Sequence, residues 1–435
     1  MILVEKRNDG IISNIPASAH ASFTMAFDAK MFATLSDSLY QNKPGSIIRE
    51  VSCNALDSHV EAGKADIPFQ IHLPSLIEPY LSIRDFGIGM DHETVTKIFT
   101  CIGKSTKELS NNSVGAFGLG SKTPFSYTDM FTVIAIKDGI SRTYTMYKDE
   151  EGMPMLSLMG GENPTNEGNG VEVIIPINNT NDRTMFAREI AHQLHFFPVR
   201  PTIIGGDHAV SWANEPTDSD VLVHQNNVKT FKNGQYRKGC IVVMGPVGYE
   251  LNFELLKSKM PNHGKVLSWL AGKTARIYFN IGDISVTPSR ENLSYDNKTL
   301  KALAESFDGY VDEVSRVFND RISTFVSPFE RAKFIYESND EIGNIITISS
   351  KDNDSVLHYT GRFAYFDPQT IMAAMGDKAC MVEIRNTVNC VSNKKLTISR
   401  VSINELINSS LTVYIEDSCK SAKRRYAALN EASRS

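Results

Sequence analysis

The sequence predicts an α+β protein whose first domain is a mixed sheet covered by helices on one face. Two helical patterns, at residues 30–40 and 45–63, come first, and a series of short extended segments follows them. The chain has 435 residues, which is more than one ordinary core accommodates. We therefore predict a first domain over 1–198, a second α/β domain over 199–338 and a small C-terminal α/β region over 339–435.

The extended segments of the first domain are rich in apolar and β-branched residues, and Gly and Asp turns separate them. They are residues 69–73, 80–85, 130–137, 141–148, 153–158 and 170–176. A helical pattern over 181–197 then runs into Pro198 and Pro201. Since the residue before a proline disfavours helix, we place the first domain boundary at this point.

The second domain mixes two strand-like segments, 240–244 and 275–281, with a long helical pattern over 298–325. The C-terminal region, whose role the sequence does not identify, is harder to assign. Its extended and helical segments are residues 345–349, 380–384, 411–415 and 420–435.

Composition narrows the classes of function. The net charge of −5 gives no global basic field that would attract nucleic acid. The six cysteines are widely spaced without a CxxC pair, which is typical of reduced thiols in a cytoplasmic protein. The N-terminus lacks the apolar stretch of a secretion signal, and no apolar run is long enough to span a bilayer. We expect a cytoplasmic protein without a transmembrane segment, which leaves peripheral membrane association open.

The helical pattern at 45–63 carries an unusual polar stripe. Glu50, Asn54 and Asp57 stand at i, i+4 and i+7, on one side of a helix whose other residues are largely apolar. Such a stripe indicates a polar cleft, although a solvent-facing stripe explains this segment alone equally well.

A short strand ends in a second polar group. Asp85 follows the apolar segment and precedes Gly87 and Gly89, with Met90 next. Alternating glycines let the backbone approach a ligand, and a carboxylate there can accept a hydrogen bond from an exocyclic amino group such as that of adenine. The alternative is a simple Asp-Gly turn.

A glycine-rich loop supplies a third group. Gly115, Gly118 and Gly120 leave backbone N–H groups free to approach anionic oxygens, and a helix opening at Ser121 would point its N-terminus the same way. A glycine-rich loop by itself is weak evidence for a phosphate site.

The order and spacing of these three clusters resemble the GHKL superfamily, which has the Bergerat fold. Gyrase-type topoisomerase subunits, MutL proteins, heat-shock chaperones and sensor histidine kinases belong to it. The family motifs ExxxNxxD/E, DxGxG and GxxGxG match residues 50–57, 85–89 and 115–120. The match covers residues 25–180 and implies a Bergerat-type α/β sandwich that binds ATP and Mg²⁺.

The resemblance implies roles for individual residues. Glu50 would be the general base that activates water, and Asn54 would hold Mg²⁺ through its side-chain oxygen. Asp85 would bind adenine, with the adjoining glycines and Met90 beside the base. The nucleotide-binding residues implied in this way are Asn54, Asp57, Asp85, Gly87, Gly89, Met90, Lys104, Gly115, Gly118, Leu119 and Gly120, with Lys104 in a lid.

Two features indicate how the chain compares with individual branches of this superfamily. Histidine kinases usually carry Asn or His in place of Glu50, so the glutamate favours a hydrolase over a kinase. Family members often have Gly-Thr on a late strand, whereas Val171 follows Gly170 here and offers no hydroxyl to adenine.

The second domain contains one segment that resembles the heat-shock chaperones. In those proteins a Ser-Arg-Glu sequence reaches the terminal phosphate, and Ser289-Arg290-Glu291 matches it here. The resemblance makes Arg290 a γ-phosphate sensor with a planar charged fork suited to phosphate. The alternative is an ion-pair residue at a helix start that Pro288 and Ser289 cap.

Residues 115–125 and 283–296 look most like the RIIA-type proteins of tailed phages, which affect lysis timing and phage exclusion. That resemblance implies a slow ATPase in the host cytoplasm that acts as a nucleotide-driven switch through a homodimer or a protein partner. A non-hydrolysing ATP-binding module and a MutL-like DNA clamp remain as alternatives. His192 and His195 are interpreted as surface or packing residues rather than metal ligands.

Overall fold

The computed structural model describes residues 28–100 and 120–325, together with Phe334 and Ser338. These residues form a mixed α+β structure with two sheets, which confirms the predicted fold class at that level. The segments predicted at 345–349, 380–384, 411–415 and 420–435 lie outside the described residues. Within the described part of the chain, every helix is too short or too polar to cross a membrane.

The first sheet has seven strands in the order β5-β4-β3-β6-β2-β1-β7. Neighbouring strands are antiparallel except for β1 and β7, which are parallel. The six extended segments predicted for this domain are all strands, and the seventh strand lies beyond residue 198. The strands are β1 (Gln70–Leu73), β2 (Tyr80–Arg84), β3 (Met130–Lys137), β4 (Ile140–Lys148), β5 (Pro154–Pro164), β6 (Gly170–Pro176) and β7 (Thr202–Gly205).

A row of paired residues across this sheet forms its buried face. Tyr144, Val133, Val173, Ile83 and Ile71 face one another on successive strands, and all five are buried. Residues one step along each strand are mostly half-buried, as the period of two in a strand requires. The sheet therefore has one core face and one more open face.

Helices cover the core face of the sheet. The helices α2 and α4 pack together and against β1, β2 and β6, so their apolar side chains join the row described above in one core. The side chain of Asn42 caps α2 by accepting a hydrogen bond from the Gly45 amide at 3.0 Å, and Pro44 occupies the first turn. The helices of this domain are α1 (Ala29–Ser38), α2 (Lys43–Glu61), α3 (His92–Thr100) and α4 (Thr180–Gln193).

The second sheet has five strands in the order β11-β10-β12-β9-β8, with only β10 and β12 parallel. It contains both strands predicted for this domain. The strands are β8 (Val221–Gln225), β9 (Val228–Phe231), β10 (Cys240–Met244), β11 (Val247–Glu250) and β12 (Ala275–Phe279), and the helices are α5 (Phe253–Lys259), α6 (Gly264–Leu270), α7 (Asn297–Phe307) and α8 (Tyr310–Ser323).

The prediction of one helix over 298–325 was wrong. The helix breaks at Gly309, which has a left-handed backbone with φ of 70°, after the extended Asp308. Two helices result, α7 and α8, each with its own apolar stripe. Helical spacing of apolar residues continued through the break, so the pattern alone did not reveal it.

A buried ionic cluster joins the two domains. Arg276 is fully buried, and its Nη2 donates to Glu215 Oε2 at 2.9 Å, while His195 Nε2 lies 2.7 Å from the same oxygen. Burial acts to raise the pKa of Glu215, but hydrogen bonds from His195 and Arg276 outweigh it and lower that pKa. His195, predicted as a surface or packing residue, thus packs in the interior and contacts the second domain through Glu215.

Truncation of Ile83 tests the core row. Ile83 is 1% exposed at the centre of the sheet, whereas Ile204 is 39% exposed on β7. We expect Ile83→Ala to lower the free energy of unfolding by about 2–5 kcal/mol, because it leaves a cavity in the core. Ile204→Ala, the matched control, should change it by about 1 kcal/mol or less, as surface substitutions do. Urea denaturation followed by circular dichroism measures both, and equal losses would contradict this assignment of the core.

Candidate functional site

The helix α2 presents the predicted polar stripe at graded depths. Glu50 is buried, Asp57 is half-buried and Asn54 is exposed. The apolar residues Ile47 and Val51 fix the orientation of the helix by packing into the core. Glu50 thus lies in the interior, where α2 meets the second domain, and Asn54 lies on the open side of the helix.

Glu50 is a buried carboxylate held by two arginines. Arg290 Nη1 donates to Glu50 Oε2 at 3.1 Å, and Arg49 Nε lies 3.4 Å from Oε1. The side chains of Glu50 and Arg290 are 6% and 8% exposed. A charge this deep requires a paired and hydrogen-bonded partner. Burial raises the pKa of the Cys53 thiol, and the charge of Glu50 reinforces that effect.

The end of the glycine-rich motif reaches Glu50. A Cβ atom placed on Gly120 would lie 2.8 Å from Glu50 Oε2, so a larger residue at this position would displace the Glu50 carboxylate. Gly120 begins a 3₁₀-helix, Gly120–Ser126, that packs against α2 where the sequence predicted a helix from Ser121. The other residues predicted for the loop and lid lie outside the described residues: Lys104, Gly115, Gly118 and Leu119.

Asp85 lies at the other end of α2 and is 6% exposed. Its Oδ1 accepts hydrogen bonds from the Gly87 amide at 2.9 Å and from Ser58 Oγ at 3.0 Å. Its backbone amide donates to the Val171 carbonyl at 2.9 Å. Burial raises the pKa of Asp85, and the hydrogen bonds from Gly87 and Ser58 oppose that rise only in part.

The glycines after Asp85 are required by close packing. Gly89 has φ of 65°, and a Cβ atom there would collide with the Ile136 carbonyl. A Cβ atom at Gly87 would collide with Ser58 in the same way. Met90 is half-buried and packs against the core. These contacts bring the DxGxG segment against the C-terminal half of α2, which the sequence did not predict.

Arg290 belongs to a tight turn of the second domain. Val286 and Leu293 form an antiparallel bridge, and the Arg290 amide donates to the Thr287 carbonyl at 2.9 Å. Arg290 has φ of 56°, a left-handed conformation that is rare outside Gly, Asn and Asp. The alternative made Arg290 an ion-pair residue at a helix start. The ion pair is confirmed by the contact with Glu50, whereas the helix start was wrong, since α7 begins at Asn297.

The structure adds three contacts that the sequence analysis missed. Ser58 donates to Asp85, and its spacing of i+4 from Asn54 could have indicated that it faces the site. Arg49 Nη2 donates to the Ser289 carbonyl at 2.9 Å. The Glu291 carboxylate accepts from the Asn42 amide at 2.7 Å. No spacing in the sequence relates residues that are 240 or more positions apart.

Comparison of the chain with protein-family models finds no match, and comparison with functionally characterised proteins finds none either. The site is therefore interpreted from its geometry. The N-terminal half of α2 holds the buried acid Glu50 with the guanidinium of Arg290, and the C-terminal end contacts the buried acid Asp85 among glycines. Ser58 lies eight positions after Glu50, which corresponds to about 12 Å along a helix. This arrangement suits an elongated ligand with a hydrogen-bonding base at one end and anionic oxygens at the other.

Replacement of Asp85 tests the cost of its burial. A carboxyl whose pKa is raised on folding destabilises the fold once pH rises above its unfolded pKa. Asparagine retains an oxygen for the bonds from Gly87 and Ser58 and carries no charge. We expect Asp85→Asn to increase the free energy of unfolding at pH 7, with the gain shrinking as pH falls toward 4. Urea denaturation at several pH values measures it.

Asp91 is the matched control with the opposite sign. Hydrogen bonds from Thr94 lower the pKa of this exposed carboxyl, so its charge stabilises the fold above the unfolded pKa. That contribution is lost as pH falls through the lowered folded pKa. Asp91→Asn should therefore reduce stability at pH 7. A loss of stability in Asp85→Asn at pH 7 would contradict the assigned cost.

Proposed function

We propose that this chain binds Mg·ATP along α2 and hydrolyses it slowly, as a GHKL-type protein that switches conformation with its nucleotide. One observation carries the proposal: three motifs that are separated in the sequence meet on one helix. Gly120 and Arg290 lie against Glu50, and Asp85 lies against Ser58, on the same helix as Asn54. These are the places that the GHKL resemblance assigns to the phosphates and to the base.

The fold supports the same proposal. A largely antiparallel sheet with α2 and α4 on its core face supports the proposal of a Bergerat-type sandwich. The turn of the second domain that contributes Arg290 to the site supports the proposal that this domain is transducer-like.

The base end of the site has a suitable acceptor. Among the described residues, the side-chain hydrogen bonds from Gly87 and Ser58 both go to Asp85 Oδ1, and we assign Oδ2 to an exocyclic amino group. Since Val171 is a buried strand residue without a hydroxyl, it adds no side-chain bond to the base. We therefore propose that adenine recognition depends mainly on Asp85.

The phosphate end has donors, an acid and a candidate metal ligand. Asn54 lies one turn beyond Glu50 and is exposed, so its amide oxygen can join phosphate oxygens and water around Mg²⁺. The metal would neutralise charge on the phosphates. The glycine at position 120 provides the close backbone approach that a phosphate cradle needs.

Glu50 would accept the proton of the attacking water as general base. In the structure its Oε2 is occupied by Arg290 at 3.1 Å, so it must first be released. A terminal phosphate offers Arg290 a competing anionic partner with matching bidentate geometry. We propose that exchange of Arg290 from Glu50 to phosphate couples nucleotide binding to the second domain, whose movement signals to a partner or a second copy of the chain.

Glu50→Gln tests the assigned base. Glutamine keeps one oxygen, which can still accept the bond from Arg290, and cannot take a proton at neutral pH. We expect kcat for phosphate release to fall by about 10²–10⁴-fold, the contribution of general base catalysis. The ATP dissociation constant, measured by calorimetry with a non-hydrolysable analogue, should stay the same or fall, since proton transfer is not part of binding and a neutral side chain competes less with phosphate for Arg290.

Glu61→Gln is the matched control, because Glu61 is exposed at the end of the same helix. It should leave both quantities unchanged. Full turnover in Glu50→Gln would show that the base is elsewhere. Nucleotide binding by the wild type without Mg²⁺-dependent phosphate release would instead identify a non-hydrolysing binding module.

A further inference from the structure

Three consecutive residues of the second-domain turn all contact the N-terminal half of α2. The Ser289 carbonyl accepts from Arg49, Arg290 donates to Glu50, and Glu291 accepts from the start of the helix. Each residue uses a different group and a different partner. The turn is thus attached to α2 at three successive points, of which only Arg290 is assigned to the phosphate.

The Glu291 carboxylate makes the most extensive of these attachments. Its Oε1 accepts from the Asn42 amide at 2.7 Å and from Ser46 Oγ at 3.1 Å, and its Oε2 accepts from the Gln41 amide at 3.1 Å. These backbone donors lie at the start of a 19-residue helix, where N–H groups lack intrahelical partners and the helix dipole favours a negative charge. The Asn42 side chain caps only the Gly45 amide, so Glu291 completes the cap from another domain.

Attachment of Glu291 has a direct consequence for Arg290. The left-handed conformation of Arg290 is unfavourable for a residue with a side chain, and it persists where the surroundings impose it. Its two chain neighbours, Ser289 and Glu291, are both bound to α2. The pair of attachments therefore sets the backbone from which the guanidinium reaches Glu50.

We infer that Glu291 is a positioning residue of the site. It docks the turn of the second domain on the start of α2 and so places Arg290 at Glu50 and at the phosphate end. The Glu291 carboxylate accepts its hydrogen bonds from Gln41, Asn42 and Ser46. It bonds to neither the general base Glu50 nor the sensor Arg290. This inference rests on the proposed function where it concerns hydrolysis, but the docking itself does not.

Two substitutions test the role in hydrolysis. Glu291→Ala removes all three bonds, and we expect kcat to fall by about tenfold to a hundredfold, as displacement of a catalytic group by about 1 Å does. The ATP KM should change by less than about threefold, since Glu291 does not contact nucleotide. Glu291→Gln keeps one acceptor oxygen and should recover most of the loss. Glu254→Ala, at an exposed glutamate of α5, is the control and should behave as wild type.

Hydrogen exchange of the full chain without nucleotide tests the docking independently. In the wild type the Gln41 and Asn42 amides should be protected by their bonds to Glu291. Glu291→Ala should accelerate exchange at both amides, while the amides of β3, remote from the turn, keep their rates. Glu291→Gln should give intermediate rates.

The two measurements separate the possible failures. Unchanged exchange at Gln41 and Asn42 in Glu291→Ala would overturn the docking role. Accelerated exchange with kcat unchanged, or with Glu291→Gln no better than Glu291→Ala in kcat, would overturn the positioning of Arg290. A wild type that binds no ATP would instead refute the proposed function, and exchange would still decide whether Glu291 docks the turn.

Discussion

The buried negative charge of Glu50 is the constraint on which the arrangement of the site depends. A carboxylate with 6% exposure loses the hydration that stabilises it in water, so the fold must supply positive partners. One partner, Arg49, comes from the same helix, and the other, Arg290, comes from the second domain. Because the second partner is remote in sequence, pairing of this one charge also links the two domains. Whatever draws Arg290 away from Glu50 therefore acts on the domain contact as well.

The helix α2 serves the core and the site at the same time. Its apolar face packs on the sheet with α4, and its polar stripe presents Glu50 and Asn54. Asp85 is buried at the far end, so two carboxylates lie in protected positions where an unpaired charge is costly. A fold selected only for stability would avoid burying these carboxylates. Buried carboxylates of this kind are typical of binding and catalytic sites. The left-handed backbone of Arg290 is a third feature of this region that is unfavourable for stability.

The elements with strong local patterns could be predicted from the sequence. All six strands predicted for the first sheet form, because alternation and turn residues act over a few neighbours. The helix predicted over 298–325 breaks at Gly309, since the apolar spacing continued across a residue that could also be tolerated within a helix. Within the site, Glu50 and Asp85 were identified from spacing. The contacts that Ser58, Arg49 and Glu291 make with other elements were not, because no local pattern relates residues on different elements.

The sequence by itself determined the polar stripe of α2, the glycines after Asp85 and the presence of an arginine at position 290, because each depends on residue type and local spacing. Only the tertiary structure decided that these groups meet. Contacts such as those of Glu50 with Arg290 and of Asn42 with Glu291 close loops of 240 and 249 residues. A local sequence pattern holds no information about contacts between such distant residues, since the packing of both domains determines them. The same packing decided that Glu50 is a paired, buried acid and not a solvent-facing one.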